Sequence, residues 1–433
     1  MEKAMSKILF SGGKVIDPVS GKIKKADVLV ENGRIRAVGA KIQPGGAKVI
    51  DCRNRFLAPG FIDLHCHLRE PGEEIKETFT SGLWSAFSSG FTQVCPMPNT
   101  SPAIDSEALI RFELEAADAA KAARIIPVGA CTKNRQGKEL AELGGMVQAG
   151  TRAISDDGNW VSDAGLMRRI MEYATAFNLT VMSHCEVPEL VNGPADEGLV
   201  ATRLGLRSSP AAAEAIAAMR DIMLAELTGC RLHICHVSSR LTVEVLRWGK
   251  ARGVEVTAET CPHYFALTNA ALDDFNPNLR VNPPLRSEAD RKAIVRALAD
   301  GTIDAIATDH APHSPEEKER EFENAAPGII GFETAFSLGY ELLVRKRVLT
   351  LPELIARMSV VPAKILGVEP PAIVPEAEAN LVVIDTELKW ELTRARIFSR
   401  SANTPFLGRT MQAKVVATVL GENSYFDPEQ IKL

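Results

Sequence analysis

The sequence predicts an α/β chain: a (β/α)8 TIM-like barrel carrying a small β-sandwich domain built from both termini. Three observations lead there. Through the middle of the chain, short apolar strand runs alternate with helical patterns. Both ends read as strands and turns without helices. All eight histidines fall between His65 and His313, several of them at or just past the end of a strand run, where barrels of this kind present their reactive groups.

At the N-terminal end, strands are read at Ile8–Phe10, Lys14–Asp17, Asp27–Val30 and Ile35–Val38. The Asn32-Gly33 pair turns a hairpin, since both residues tolerate the positive φ such a turn needs. Asn380–Asp385 and Ala413–Val419 give matching strands at the other end. Neither end can bury a core alone, so residues 1–57 and 370–433 are expected to form one composite sandwich, with a barrel of residues 58–369 inserted between them. Barrel strands are expected at 58–66, 91–95, 125–130, 152–155, 180–184, 231–236, 253–258 and 303–308. Helices follow most of them, at Ser106–Ala123, Asp163–Phe177, Pro210–Leu227, Arg240–Arg252 and Ser287–Ala299. A doubly wound open sheet is the competing arrangement. Pro370-Pro371 and the acidic stretch Glu376–Glu378 mark the return from barrel to sandwich.

With 433 residues, 45% hydrophobic and 24% charged, the chain has a globular composition. A net charge of -5 offers no electrostatic footprint for nucleic acid or an anionic membrane. No apolar run is long enough to span a bilayer, and Met1–Lys7 has no secretory core. The eight cysteines include no Cys-x-x-Cys pair and read as reduced, small apolar core residues of a cytoplasmic protein.

The chemistry begins at Asp63-Leu64-His65-Cys66-His67-Leu68-Arg69-Glu70-Pro71-Gly72, which follows the apolar run Phe56–Ile62. Side chains on a strand alternate, so His65 and His67 share a face and can grip one metal ion, with Arg69 a fixed cation beside them. His184, His236 and Asp309 end later strands, as does the pair Asp156-Asp157, of which only one easily points inward. His233 falls on the opposite strand face from His236 and reads as a core residue, and His263 as a supporting one. Four imidazoles and two carboxylates exceed what one zinc needs; they suit two metals bridged by a carboxylate and a hydroxide. Lys133 reads as a solvated lysine, and 314–321 as a mostly solvated charged run that is a candidate mobile rim.

These motifs resemble the dihydroorotases of the amidohydrolase superfamily. The His65 motif is similar to the family's first motif, and Ala307-Thr308-Asp309-His310-Ala311-Pro312-His313-Ser314 to its second. Pro96–Thr100 and Val281–Arg286 also resemble family stretches. Relatives that bridge their metals with a carboxylated lysine carry it near the end of the fourth strand. This chain reads Arg152-Ala153-Ile154-Ser155-Asp156-Asp157-Gly158 there, which resembles the bacterial branch bridged by an aspartate, and the spacing favours Asp157. The resemblance implies zinc at His65, His67, Asp157, His184, His236 and Asp309, with Asp309 as general acid and base. It implies substrate contacts at Arg69, Asn99, Asn282, His313 and Gly328. The implied reaction is the reversible cyclisation of N-carbamoyl-L-aspartate to L-dihydroorotate in pyrimidine synthesis. A homo-oligomer and association with aspartate carbamoyltransferase are further implied possibilities. The rival readings are a hydantoinase or allantoinase, against which Arg69 and the missing lysine argue, and an inactive scaffold for aspartate carbamoyltransferase, against which the retained histidines argue.

Overall fold

The computed structural model describes residues 7–431; Met1–Ser6 of the N-terminal lead-in lies outside them. Strands from both ends join in one hydrogen-bonded sheet. Its order runs Asn423–Phe426, Thr410–Leu420, Asn380–Glu391, Phe56–Pro59, Lys7–Asp17, Lys22–Glu31, Arg34–Gly39, with Lys48–Asp51 also paired to Lys7–Asp17. The ends meet where Phe56–Pro59 pairs parallel to Lys14 and Val15 and antiparallel to Leu381–Ile384. The far edge returns through an Arg34–Glu378 bridge and the Ala379 N–H to Gly33 carbonyl bond of 2.8 Å. Phe10, Val28, Ile35, Leu57, Leu381 and Val419 pack in one core. The expected sandwich is thus a single sheet folded over a shared interior. The hairpin turn forms where expected, with Asn32 at φ 49° and Gly33 at φ 71°.

The middle of the chain is a ring of parallel strands. One run pairs Phe61–Cys66, Phe91–Pro96 and Arg124–Ile125; the next pairs Val128–Gly129, Ala153–Ile154, Thr180–Ser183, Arg231–Ile234, Val256–Thr260 and Ala305–Ile306. Pro127, which has no N–H to donate, separates the two pieces of the third strand. Between the last strand and the first, closure comes from a Cys66–His310 bridge and the His67 N–H to His310 carbonyl bond of 2.8 Å. The buried Asp63 carboxylate helps by accepting from Thr308 N at 2.8 Å and Thr308 Oγ1 at 2.6 Å.

Two strand expectations need correction. The 58–66 run divides at Gly60, because Phe56–Pro59 belongs to the terminal sheet and Phe61–Cys66 to the barrel. Glycine is required at the crossing: a Cβ there would lie 2.1 Å from Asn380 Oδ1 and 2.5 Å from Thr92 Cγ2. The seventh strand is Val256–Thr260 rather than 253–258, which places Glu259 near its end. The helices run Glu107–Ala120, Ala164–Ala176, Ala212–Thr228, Arg240–Ala251 and Glu288–Asp300. The last shows why such boundaries are readable: Ser287 and Asp290 form a reciprocal capping box, and Gly301 at φ 79° ends the helix.

Candidate active site

The strand ends gather six of the sequence-selected residues in one buried cluster. His65 and His67 come from the first strand and the residue just past it, as alternation requires. His184 lies one residue past Ser183, and His236 two past Ile234. His236 at φ 36° and Asp309 at φ 46° leave the extended conformation, which takes their side chains out of strict strand alternation. Asp157 stands at the centre, its Oδ1 3.2 Å from His65 Nε2, 3.6 Å from His184 Nδ1 and 3.6 Å from His236 Nε2. Asp309 Oδ1 lies 3.1 Å from His67 Nε2 and 3.7 Å from His65 Nε2. The neighbouring Asp156 is engaged elsewhere, accepting from Thr132 N at 3.0 Å and from the Thr132 hydroxyl.

Outer acceptors fix which ring nitrogen faces the centre. Glu259 Oε1 lies 3.0 Å from His65 Nδ1, and Asn99 Oδ1 2.9 Å from His67 Nδ1, so both rings turn Nε2 toward the aspartates. Glu186 Oε2 lies 3.2 Å from His184 Nε2, leaving Nδ1 inward.

The cluster fits a metal on its own geometry. Among the described residues, His65 Nε2, His236 Nδ1 and Asp157 Oδ1 are buried without a hydrogen-bond partner, an expensive condition for polar atoms. Ligand atoms of His65, Asp157 and His236, and again of His65, His67 and Asp309, lie within 4.8 Å of one another. Burial pushes the Asp157 carboxyl up, but the facing imidazoles of His65, His184 and His236 prevail and hold it well below the usual range. Asp309 is likewise held low by His67 and His65 against its burial. Burial opposes the charge on His184, yet Asp157 and Glu186 raise its pKa to about 10. These carboxylates demand nearby positive charge, which protons on the rings or a divalent cation between them can satisfy.

Around the cluster, Arg69 is buried at φ 63°, its Nε donating to the Pro312 carbonyl at 3.2 Å and its Nη2 3.2 Å from His313 Nε2. His313 also meets Glu317 Oε2 at 3.1 Å and the Pro327 carbonyl at 2.9 Å; burial and Arg69 lower its pKa to about 3. Gly328 at φ 151° passes so close to Ala311 that a Cβ would lie 2.7 Å from the Ala311 Cβ. A cavity of about 710 Å³ opens beside the cluster, lined by Arg135, Trp160, His184, Glu186 and Asn282 among others.

Residues 54–242 match the family model described as Dihydro-orotase-like. A protein named dihydroorotase from Pelotomaculum thermopropionicum is 46% identical, the match covering 96% of this chain and 97% of that one. Another of that name from Desulforapulum autotrophicum is 48% identical over 95% and 97%. The chain belongs to the dihydroorotase family. Among solved structures, the L-hydantoinase (dihydropyrimidinase) of Arthrobacter aurescens superposes with a TM-score of 0.87 at 22% identity, covering 98% of this chain and 97% of that one. The dihydropyrimidinase of Brevibacillus agri NCHU1002 superposes with a TM-score of 0.85, also at 22% identity, over 98% and 96%. At that identity the likeness shows the common barrel-and-sheet fold.

Within this family member, several expected substrate contacts already have internal partners. Asn99 holds His67, Asn282 Nδ2 donates to Glu186 Oε2 at 2.6 Å, and His313 sits between Glu317 and Pro327. His233 is buried and hydrogen-bonded to Thr257 Oγ1 at 2.9 Å, as a core histidine is, and its Nε2 lies 3.2 Å from Glu259 Oε2, which links it to His65 through one carboxylate. His263 lies near Asp309, its Nε2 unpartnered and its pKa lowered to about 4 by burial. Lys133 is exposed and pairs with Glu139 at 2.9 Å, as a solvated lysine does. The 314–321 run is less solvated than expected, because Lys318 is buried and donates to the carbonyls of Ala326 at 2.8 Å and Gly328 at 3.1 Å.

Sequence reasoning missed Glu259, Glu186 and Arg135, whose guanidinium donates to the Asp157 carbonyl. The available signals were a carboxylate inside the run Val256–Thr260 and another two residues after a strand-end histidine.

Proposed function

We propose that this chain is a zinc-dependent dihydroorotase, interconverting N-carbamoyl-L-aspartate and L-dihydroorotate with water in pyrimidine synthesis. The observation that carries the reading is the buried Asp157 carboxylate facing three imidazoles with its Oδ1 unpartnered, in a chain 46% identical to a named dihydroorotase along nearly its full length. His65, His67, Asp157, His184, His236 and Asp309 are the residues that would hold one or two zinc ions. Bound there, the metal would supply Lewis acidity, acidifying water and polarising the amide carbonyl.

The chain's own groups do the rest. In hydrolysis, Asp309 takes a proton from the attacking water as the C–O bond forms. It delivers that proton to the ring nitrogen as the C–N bond breaks. Cyclisation reverses these transfers, with Asp309 taking a proton from the ureido nitrogen. Arg69 binds the free substrate carboxylate through its planar fork, with Asn99 and His313 beside it. Asn282 and the backbone at Gly328 contact the ring amides. The wall that carries this site is the barrel, entered at Phe61 and running to about residue 369, with the strands of both chain ends, Phe56–Pro59 among them, as the supporting domain.

Among the described residues, no helix is long and apolar enough to cross a membrane. A cytoplasmic location, a homo-oligomer and association with aspartate carbamoyltransferase complete the proposal. Assaying the purified chain on dihydroorotate, hydantoin and allantoin, together with metal analysis, tests it. Turnover of dihydroorotate far above the other two with bound zinc is expected; preference for hydantoin or allantoin overturns the substrate assignment.

A further inference from the structure

Glu186 lies two residues past His184, where the chain leaves the Thr180–Ser183 strand, and is 4% exposed. A single oxygen, Oε2, takes both of its side-chain hydrogen bonds. One comes from His184 Nε2 at 3.2 Å, the other from Asn282 Nδ2 at 2.6 Å. The other oxygen, Oε1, is buried without a partner among the described residues. Asn282 is 96 residues away in sequence, so this carboxylate joins a ring of the metal cluster to an amide on a separate loop.

The two bonds have different consequences. An ionised carboxylate only accepts, so His184 must carry its proton on Nε2. Nδ1 is then the nitrogen presented to Asp157 and to His236 Nε2, 2.8 Å away. The same rule orients Asn282: its nitrogen end is committed to Glu186, and its carbonyl end, Oδ1, is left free to accept. A free acceptor at that point in the cavity wall suits an N–H of a cyclic amide or ureide.

We propose that Glu186 is a positioning residue that sets both the imidazole of His184 toward the metal and the amide of Asn282 toward the substrate N–H. The inference rests on the function proposed above and adds a coupling to it: metal holding and amide recognition share one carboxylate. Outer partners of metal-holding imidazoles typically contribute about 10–100-fold in metal affinity, and an Asn amide released from its anchor is free to rotate.

The test uses metal-stripped full-length protein, titrated with zinc against a chromophoric chelator, and steady-state kinetics on dihydroorotate with zinc restored. Glu186→Ala is expected to weaken zinc binding by about 10–100-fold and to raise KM. Asn282→Ala is expected to raise KM and leave zinc affinity unchanged. In the double variant, KM is expected to rise no further than in Asn282→Ala, because both changes break the same link. Should Glu186→Ala fail to fold, Glu186→Gln preserves volume and one acceptor but not the charge, and it is expected to bind zinc more weakly than the parent.

Zinc affinity equal to the parent in whichever Glu186 variant folds, or KM effects that multiply in the double variant, overturns the role of Glu186. Failure of the unaltered protein to bind zinc or to turn over dihydroorotate instead overturns the functional reading.

Discussion

Asp27 in the terminal sheet and Asp157 at the barrel mouth are both buried carboxylates, 7% and 2% exposed, yet they are held in different ways. Asp27 is completed by its own fold: Oδ1 accepts from Gly12 N at 2.7 Å and Ser11 Oγ at 3.3 Å, and Oδ2 from Ile42 N at 2.9 Å. Asp157 Oδ1 has no donor and faces three imidazoles instead. A carboxylate satisfied by backbone and hydroxyl donors supports structure. One that meets only rings with nitrogens turned toward it is incomplete without added positive charge.

The sharpest way to break this contrast is to separate metal holding from proton transfer within the mouth. Asp309→Asn keeps the size of the side chain and removes its ability to cycle a proton. It is expected to retain at least one zinc and to bind dihydroorotate while losing about 10²–10⁴-fold in kcat. Normal turnover by this variant would remove Asp309 as the acid and base.

The two aspartates can then be compared directly. Asp157→Ala is expected to lose metal and activity while the melting temperature of the metal-free chain changes little. Asp27→Ala is expected to do the reverse, keeping full metal content and losing on the order of 1–3 kcal/mol of stability as buried donors go unpaired. Equal metal loss in both variants contradicts the distinction. Asp156→Ala belongs with Asp27→Ala, since its carboxylate is spent on Thr132.

A smaller effect probes the substrate side. Arg69→Lys keeps the charge but not the planar fork, so KM for dihydroorotate is expected to rise with metal content unchanged. An unaltered KM removes Arg69 from the carboxylate site.

The smallest expected effect concerns Glu113, a buried carboxyl with neither oxygen partnered among the described residues. Burial raises its pKa well above the usual value. The folded chain therefore keeps a proton that the unfolded chain releases above about pH 4.3. Its contribution to stability is full below that pH and is lost as pH rises toward the folded pKa. Glu113→Gln abolishes this dependence, so its gain in melting temperature over the parent is expected to be larger at pH 8 than at pH 5. An equal gain at the two pH values would falsify the assignment.

The legible parts of the site were those written in local periodicity. His65 and His67 share a strand face whatever surrounds them, and the alternation of strand and helix patterns exposed the ring on which His184, His236 and Asp309 sit. What stayed hidden depends on contacts between distant segments. Glu259 reads as one more acid until the register of Val256–Thr260 places it between His65 and His233. Gly60 reads as a minor break in an apolar run until Asn380 and Thr92 crowd it. Lys318 looks solvated because its sequence neighbours are charged, and only the return of the chain at Ala326 and Gly328 buries it.

The central claim is that the barrel-mouth cluster acts through a bound metal, and the most direct measurement is dihydroorotate hydrolysis before and after metal removal. Purified chain is stripped with a chelator, its metal content is measured, and zinc is then returned. The account predicts that activity disappears with the metal and comes back in proportion to the zinc rebound. Full turnover by protein verified to be metal-free would contradict it.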